Sequence, residues 1–161
     1  MTIKSKQRIV AVLAVAAAVT GVWAAAFPLS FYTDFPAPGR HWVSALGPYN
    51  EHLTRDVGGL FLALLVLSVL AWRRPTPTTL RMAGGAWLIF NAEHFLWHVL
   101  HLDVFPAADK IGNVVALGGL LILSVLLLLP DRDPAAPGGH HDDHEWELAA
   151  HRRDRRADGV A

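Results

Sequence analysis

The chain contains no cysteine. That excludes disulfides, thiolate metal centres, haem attached through Cys, and dithiol redox chemistry. It contains no glycine-rich phosphate-binding loop. Its basic residues lack the aromatic interleaving of a nucleic-acid surface, so nucleic acid is not an expected partner. No repeat at a period of about 20–50 residues is present. Net charge is absent as well, because 14 Lys and Arg balance 14 Asp and Glu.

Apolar residues are abundant and gathered in blocks. Four runs cover residues 9–27, 57–72, 80–102 and 111–129. Each approaches the ~20 residues that carry a helix across a bilayer at about 1.5 Å per residue. The second is short, but gains a turn if its helix begins near Asn50 or Leu53. Backbone cannot face lipid unpaired, so each run is expected to be helical. The expected fold is all-α: an integral membrane four-helix up-down-up-down bundle over residues 1–130, with the lipid bilayer as partner.

The zero net charge hides an asymmetry. Lys4, Lys6 and Arg8 precede the first run; Arg73, Arg74 and Arg81 lie between the second and third. Arg132, Arg152, Arg153, Arg155 and Arg156 follow the fourth. The other connections hold only Arg40, Arg55 and Lys110. The positive-inside rule then places both termini in the cytoplasm, in the cytoplasmic membrane. The first run has a basic start and ends in "AAAF", as a signal peptide would. Its length favours a retained anchor.

The longest connection, residues 28–55, is rich in proline and in aromatics: Phe31, Tyr32, Phe35, Trp42 and Tyr49. Such rings suit either the headgroup belt or a lid over the bundle end. The turns "RRPTPTTLR" and "DVFPAADK" are short, which makes their flanking helices antiparallel neighbours; Thr78 or Thr79 is the expected cap of the third. Glycine pairs at 58–59, 84–85 and 118–119 are expected at helix crossings, where small residues admit a neighbouring backbone. Residues 131–161 read as a flexible, polar, His-rich cytoplasmic tail. Its "HHDDHEW" has incidental metal affinity.

The third run carries "FNAEHFLWHVLHLD". Gly84, Trp87, Asn91, His94, His98 and His101 follow helical spacing and share one face, with Glu93 about 100° to the side. Polar groups in hydrocarbon are costly, so this stripe is expected to face the bundle interior or a water-filled cavity. The second run opens with "NEHLTRD", which sets Glu51, His52, Arg55 and Asp56 at the same outer level. Asp103, Asp109 and Asn113 belong to that end too.

Several chemistries suit this cluster. His94 and His98, at i and i+4, with His52 and Asp56 opposite and His101 nearby, would form a divalent-metal site, zinc first. Glu51 or Glu93 would then orient a ligand or act as base. Without metal, Glu51, Glu93 and Asp56 are candidate acids and bases acting on a small lipophilic substrate that enters from the membrane. A haem between His52 and His94 or His98 is a third reading. A non-catalytic role within a membrane complex is a fourth. The structural alternative is that these residues hydrogen-bond loops and pair Arg55.

"GPYNEHLTRDVGGLFLAL", "FNAEHFLWHVLHLD" and "ADKIGNVVALGG" together resemble a group of small four-helix membrane proteins of high-GC actinobacteria. More remotely, the layout is similar to DoxX-like membrane proteins, some of which are associated with quinone-linked oxidation. The resemblance implies the four-helix fold and assigns no catalytic residue.

Overall fold

The computed structural model describes residues 1–131. The expected polar tail, with "HHDDHEW", lies outside the described residues except for Asp131. Among the described residues every regular element is helical. The α-helices are α1 (Ile3–Ala26), α2 (Pro28–Asp34), α3 (Glu51–Arg73), α4 (Pro77–Leu100) and α5 (Ala107–Leu128). Short 3₁₀ turns occupy Ser44–Leu46 and Leu102–Val104.

Local chemistry sets the helix ends. Thr2 caps α1 by accepting from the Ser5 N–H. Asn50 caps α3 by accepting from the Leu53 N–H at 3.1 Å. The cap of α4 is Thr76 rather than Thr78 or Thr79. Thr76 and Thr79 form a reciprocal capping box, with Pro77 at the first helical position. Pro28 lacks an N–H to continue α1, so that helix stops at Ala26 and α2 sets off from the proline.

Three helices, α1, α3 and α5, are long and apolar enough to cross a membrane. The expectation counted four. α4 has the length, at 24 residues, but Arg81, Asn91, Glu93, His94 and His98 dilute its apolarity. The helices also start earlier than the apolar runs. α1 begins six residues before residue 9, which draws Lys6 into the helix.

The long helices pack as antiparallel neighbours. Gly58, near the start of α3, lies against the Ala25 backbone near the end of α1. Gly84 lies against Leu127, joining the start of α4 to the end of α5. A Cβ at either glycine would collide, whereas Gly59, Gly85 and Gly119 face open space. In the first two pairs one glycine makes the crossing, not both, while Gly118 meets only the Phe95 ring at ordinary contact distance. The core between the helices holds Val10, Leu13, Ala17, Phe61, Leu64, Leu80, Trp87 and Leu127.

Buried polar bonds tie the helices together. Trp87 Nε1 donates to Ser68 Oγ at 2.9 Å, linking α4 to α3. Asn91 Nδ2 donates to Ser124 Oγ at 2.9 Å, linking α4 to α5. Each serine passes its own proton back to a carbonyl one turn earlier, Leu64 and Leu120 respectively, so both hydroxyls are satisfied. At the end that carries Met1 and Asp131, Lys6 is fully buried and stands 2.8 Å from Asp131. Arg81 approaches the other oxygen of that carboxylate at 3.3 Å.

Candidate functional site

The opposite end of the molecule holds a cavity of about 350 Å³. That volume lies in the range of small-molecule sites. The α1–α3 connection folds over it. Its floor is Ala16 and Thr20 of α1 with Phe61 of α3 and Leu120 of α5. The connection adds Phe31, Phe35, Trp42 and Leu46. Of the two uses open to the loop aromatics, belt or lid, these side chains serve as a lid. Phe31 is buried and sits edge-on to Trp23; Phe35 bridges Phe31 and Trp42. Gly112 of α5 receives the Trp42 ring, where a Cβ would collide with it.

The α4 wall is an aromatic ladder at helical spacing. Phe90 stacks on His94 with ring centres 5.1 Å apart, and His94 meets His98 edge-on at 4.5 Å. Phe61 stands across from Phe90, and Phe105 is stacked beyond His98. His98 is buried and His94 half-buried, both on the cavity. The stripe therefore faces inward as its spacing requires, up to one residue: His101 is exposed and stacks on Trp97.

The other expected site residues lie elsewhere. The His52 side chain is 88% exposed and the Asp56 side chain 60% exposed, paired with each other at 3.4 Å. Neither lines the cavity. Glu51 holds Arg55 at 2.8 Å in an ion pair one turn apart, and Arg55 also donates to the Ala25 carbonyl. Glu93 is exposed and does not line the cavity. The physical reason is rotation of α3. Its protein-facing stripe is Thr54, Gly58, Phe61 and Leu64, which turns His52 and Asp56 outward. Matching depth put the two segments at one level but did not decide which way each side chain points.

The four-residue set of His52, Asp56, His94 and His98 is thus not assembled. Among the described residues no group of three or more His, Asp or Glu converges to hold a metal ion. His94 and His98 are the two imidazoles that meet on the cavity, and the haem pairing through His52 loses one partner.

What the cavity does contain is a set of buried polar atoms without partners. Trp42 Nε1, His98 Nδ1 and Asn113 Oδ1 make no hydrogen bond among the described residues. All three residues line the cavity. The orientation of Asn113 follows from chemistry. Its Nδ2 donates to the Asp109 carbonyl at 3.0 Å, which only the nitrogen can do, so the oxygen is the free atom. The carboxamide stands beside the His98 ring without closing a well-formed bond to it. Unpaired buried polar atoms are costly and rare, and three of them gather on this one cavity. Among the described residues no Asp, Glu, Lys or Arg lines the space.

Trp42 and Asn113 are the residues that site reasoning from sequence underweights. The sequence places Asn113 at this end of the molecule and Trp42 only among the loop aromatics. A lone indole in a proline-rich loop carries no positional signal. Comparison with family models, curated proteins and solved structures finds no match for this chain.

Proposed function

We propose that this is a small membrane protein that binds a lipophilic molecule in the lidded cavity. The four long helices form an up-down-up-down bundle across the bilayer, with α4 as the polar-faced member. The basic residues at the terminal end, Lys4, Lys6, Arg8, Arg73, Arg74 and Arg81, favour the cytoplasm for it, and the cavity then opens toward the outer side. The observation that carries the reading is the aromatic and aliphatic cavity in which Trp42, His98 and Asn113 leave polar atoms unpaired. An apolar pocket with a few convergent polar groups is the usual form of a small-molecule site.

Leu53 and Trp97 line the cavity while remaining open to the surroundings, 61% and 40% exposed. They flank a lateral route from lipid between α3 and α4. As part of the same proposal, the quoted motifs support kinship with the small four-helix membrane proteins of actinobacteria, and the helical layout alone a remote likeness to DoxX-like proteins.

The test uses the full chain in lipid nanodiscs and 4-heptylphenol as probe. Saturable one-to-one binding is expected, and Ala16→Phe, which fills the floor, should abolish it without lowering thermal stability. Absence of saturable binding, or equal binding by the filled variant, overturns the reading.

A further inference from the structure

The polar atoms on the cavity define the head group of its ligand more narrowly than the cavity defines the body. Trp42 Nε1 is a donor and nothing else. Asn113 Oδ1 is an acceptor, because its nitrogen is committed to Asp109. His98 Nδ1 serves as either, according to tautomer. Asn113 is fully buried and His98 8% exposed, so water reaches these atoms only through the cavity. The benzo edge of Trp42 packs on Gly112, the residue next to Asn113, so the indole and the carboxamide belong to the same level of α5.

One functional group answers both in a single atom. A hydroxyl oxygen accepts from the indole N–H while its proton is donated to the Asn113 carbonyl. Its second lone pair, or none, is left for His98. A carbonyl or ether oxygen would accept from Trp42 and leave Asn113 only its poorly formed contact with the His98 ring. A carboxylate would set a negative charge against the Asn113 oxygen, with no lining cation to balance it. An ammonium would meet no carboxylate. The walls are flat rings: Phe35, Phe90, His94 and Trp97 among them. Such walls favour a planar body through stacked and edge contacts.

We infer that the cavity selects an uncharged, hydroxyl-bearing lipophilic ring compound, a phenol with an apolar substituent, held by Trp42 and Asn113. This rests on the binding reading above and adds a specificity to it.

The experiment compares three probes of nearly equal shape on the full chain in nanodiscs: 4-heptylphenol, 4-heptylanisole and heptylbenzene. The wild type should prefer the phenol over the anisole by about tenfold, since only the phenol satisfies the buried acceptor. Asn113→Leu should bring that ratio close to one. Trp42→Phe keeps a ring and removes the N–H, so it should weaken phenol and anisole together and by more than it weakens heptylbenzene. Heptylbenzene binding also reports that each variant is folded around an intact cavity. Equal wild-type affinity for the three probes would mean that water rather than ligand serves these atoms, and overturns the head-group assignment while the binding reading stands. A phenol preference that survives Asn113→Leu also overturns it. No saturable binding of any probe overturns both.

Discussion

Arg40 of the lid reaches Asp109 at the start of α5, Nη1 to Oδ1 at 2.6 Å. Asp109 is buried and its backbone carbonyl accepts from Asn113, so one residue joins the lid to the cavity wall. Asp109 also sits in the first turn of α5, where a negative charge is favoured by the helix dipole.

Arg40→Ala removes the cation from a buried carboxylate and should loosen the lid. Faster amide hydrogen exchange is expected over residues 35–46, with the α4 and α5 spans unaffected. Probe dissociation should quicken more than association, since the lid covers a bound ligand. Unchanged exchange in the loop would show that Trp42 packing on Gly112 alone holds it.

Gly58 and Gly59 offer a paired test of the α1–α3 crossing. Gly58→Ala drives a methyl into the Ala25 backbone and should cost about 1–3 kcal/mol, as overpacking does. Gly59→Ala meets open space and should be neutral or stabilising by up to about 1 kcal/mol from helix propensity. Thermal unfolding in detergent separates the two.

Ser68→Ala leaves the Trp87 indole N–H buried without an acceptor. The expected cost is about 1–3 kcal/mol by the usual penalty for an orphaned buried donor. Trp87→Phe on the same background should recover part of the loss, because it removes the donor that Ser68 served. A double-mutant cycle reads the coupling.

The Lys6–Asp131 pair makes stability depend on pH. The hydrogen bond from Lys6 holds the Asp131 carboxyl below the usual carboxylate range, with the Lys6 and Arg81 charges adding to it. A depressed carboxyl contributes stability in full above its ordinary pKa of about 4 and loses it as pH falls through the lower folded value. Thermal stability should therefore be flat near neutrality and decline below about pH 4. Asp131→Asn should be less stable at neutral pH and lose most of that decline. An identical pH profile in the variant would assign the acid sensitivity to other carboxylates.

The inward stripe of α4 was legible because its spacing is strict. Trp87, Asn91, His94 and His98 recur at three or four residues, and polar groups on an apolar helix have few places to go but inside. Lys6 could have been read the same way. It continues the spacing of Val10, Leu13, Ala17, Gly21 and Ala24, the buried stripe of α1. Its place ahead of the apolar run hid it among the flanking charges. His52 and Asp56 mislead for the opposite reason, since they share a face with each other and a level with the α4 histidines but point away from them.

Sequence alone determined that the chain is helical and carries apolar runs of membrane length, which it counts as four where the structure has three, and that α4 turns His94 and His98 inward. Those properties follow from periodicity and from the cost of unpaired polar groups, both local to one helix. Tertiary structure alone decided which neighbours the imidazoles meet. The rotation of α3 sends His52 and Asp56 outward, and the fold of residues 28–50 lays Trp42 on Gly112 beside Asn113. Such relations depend on how separate helices and a loop pack together, and no spacing within one segment encodes them.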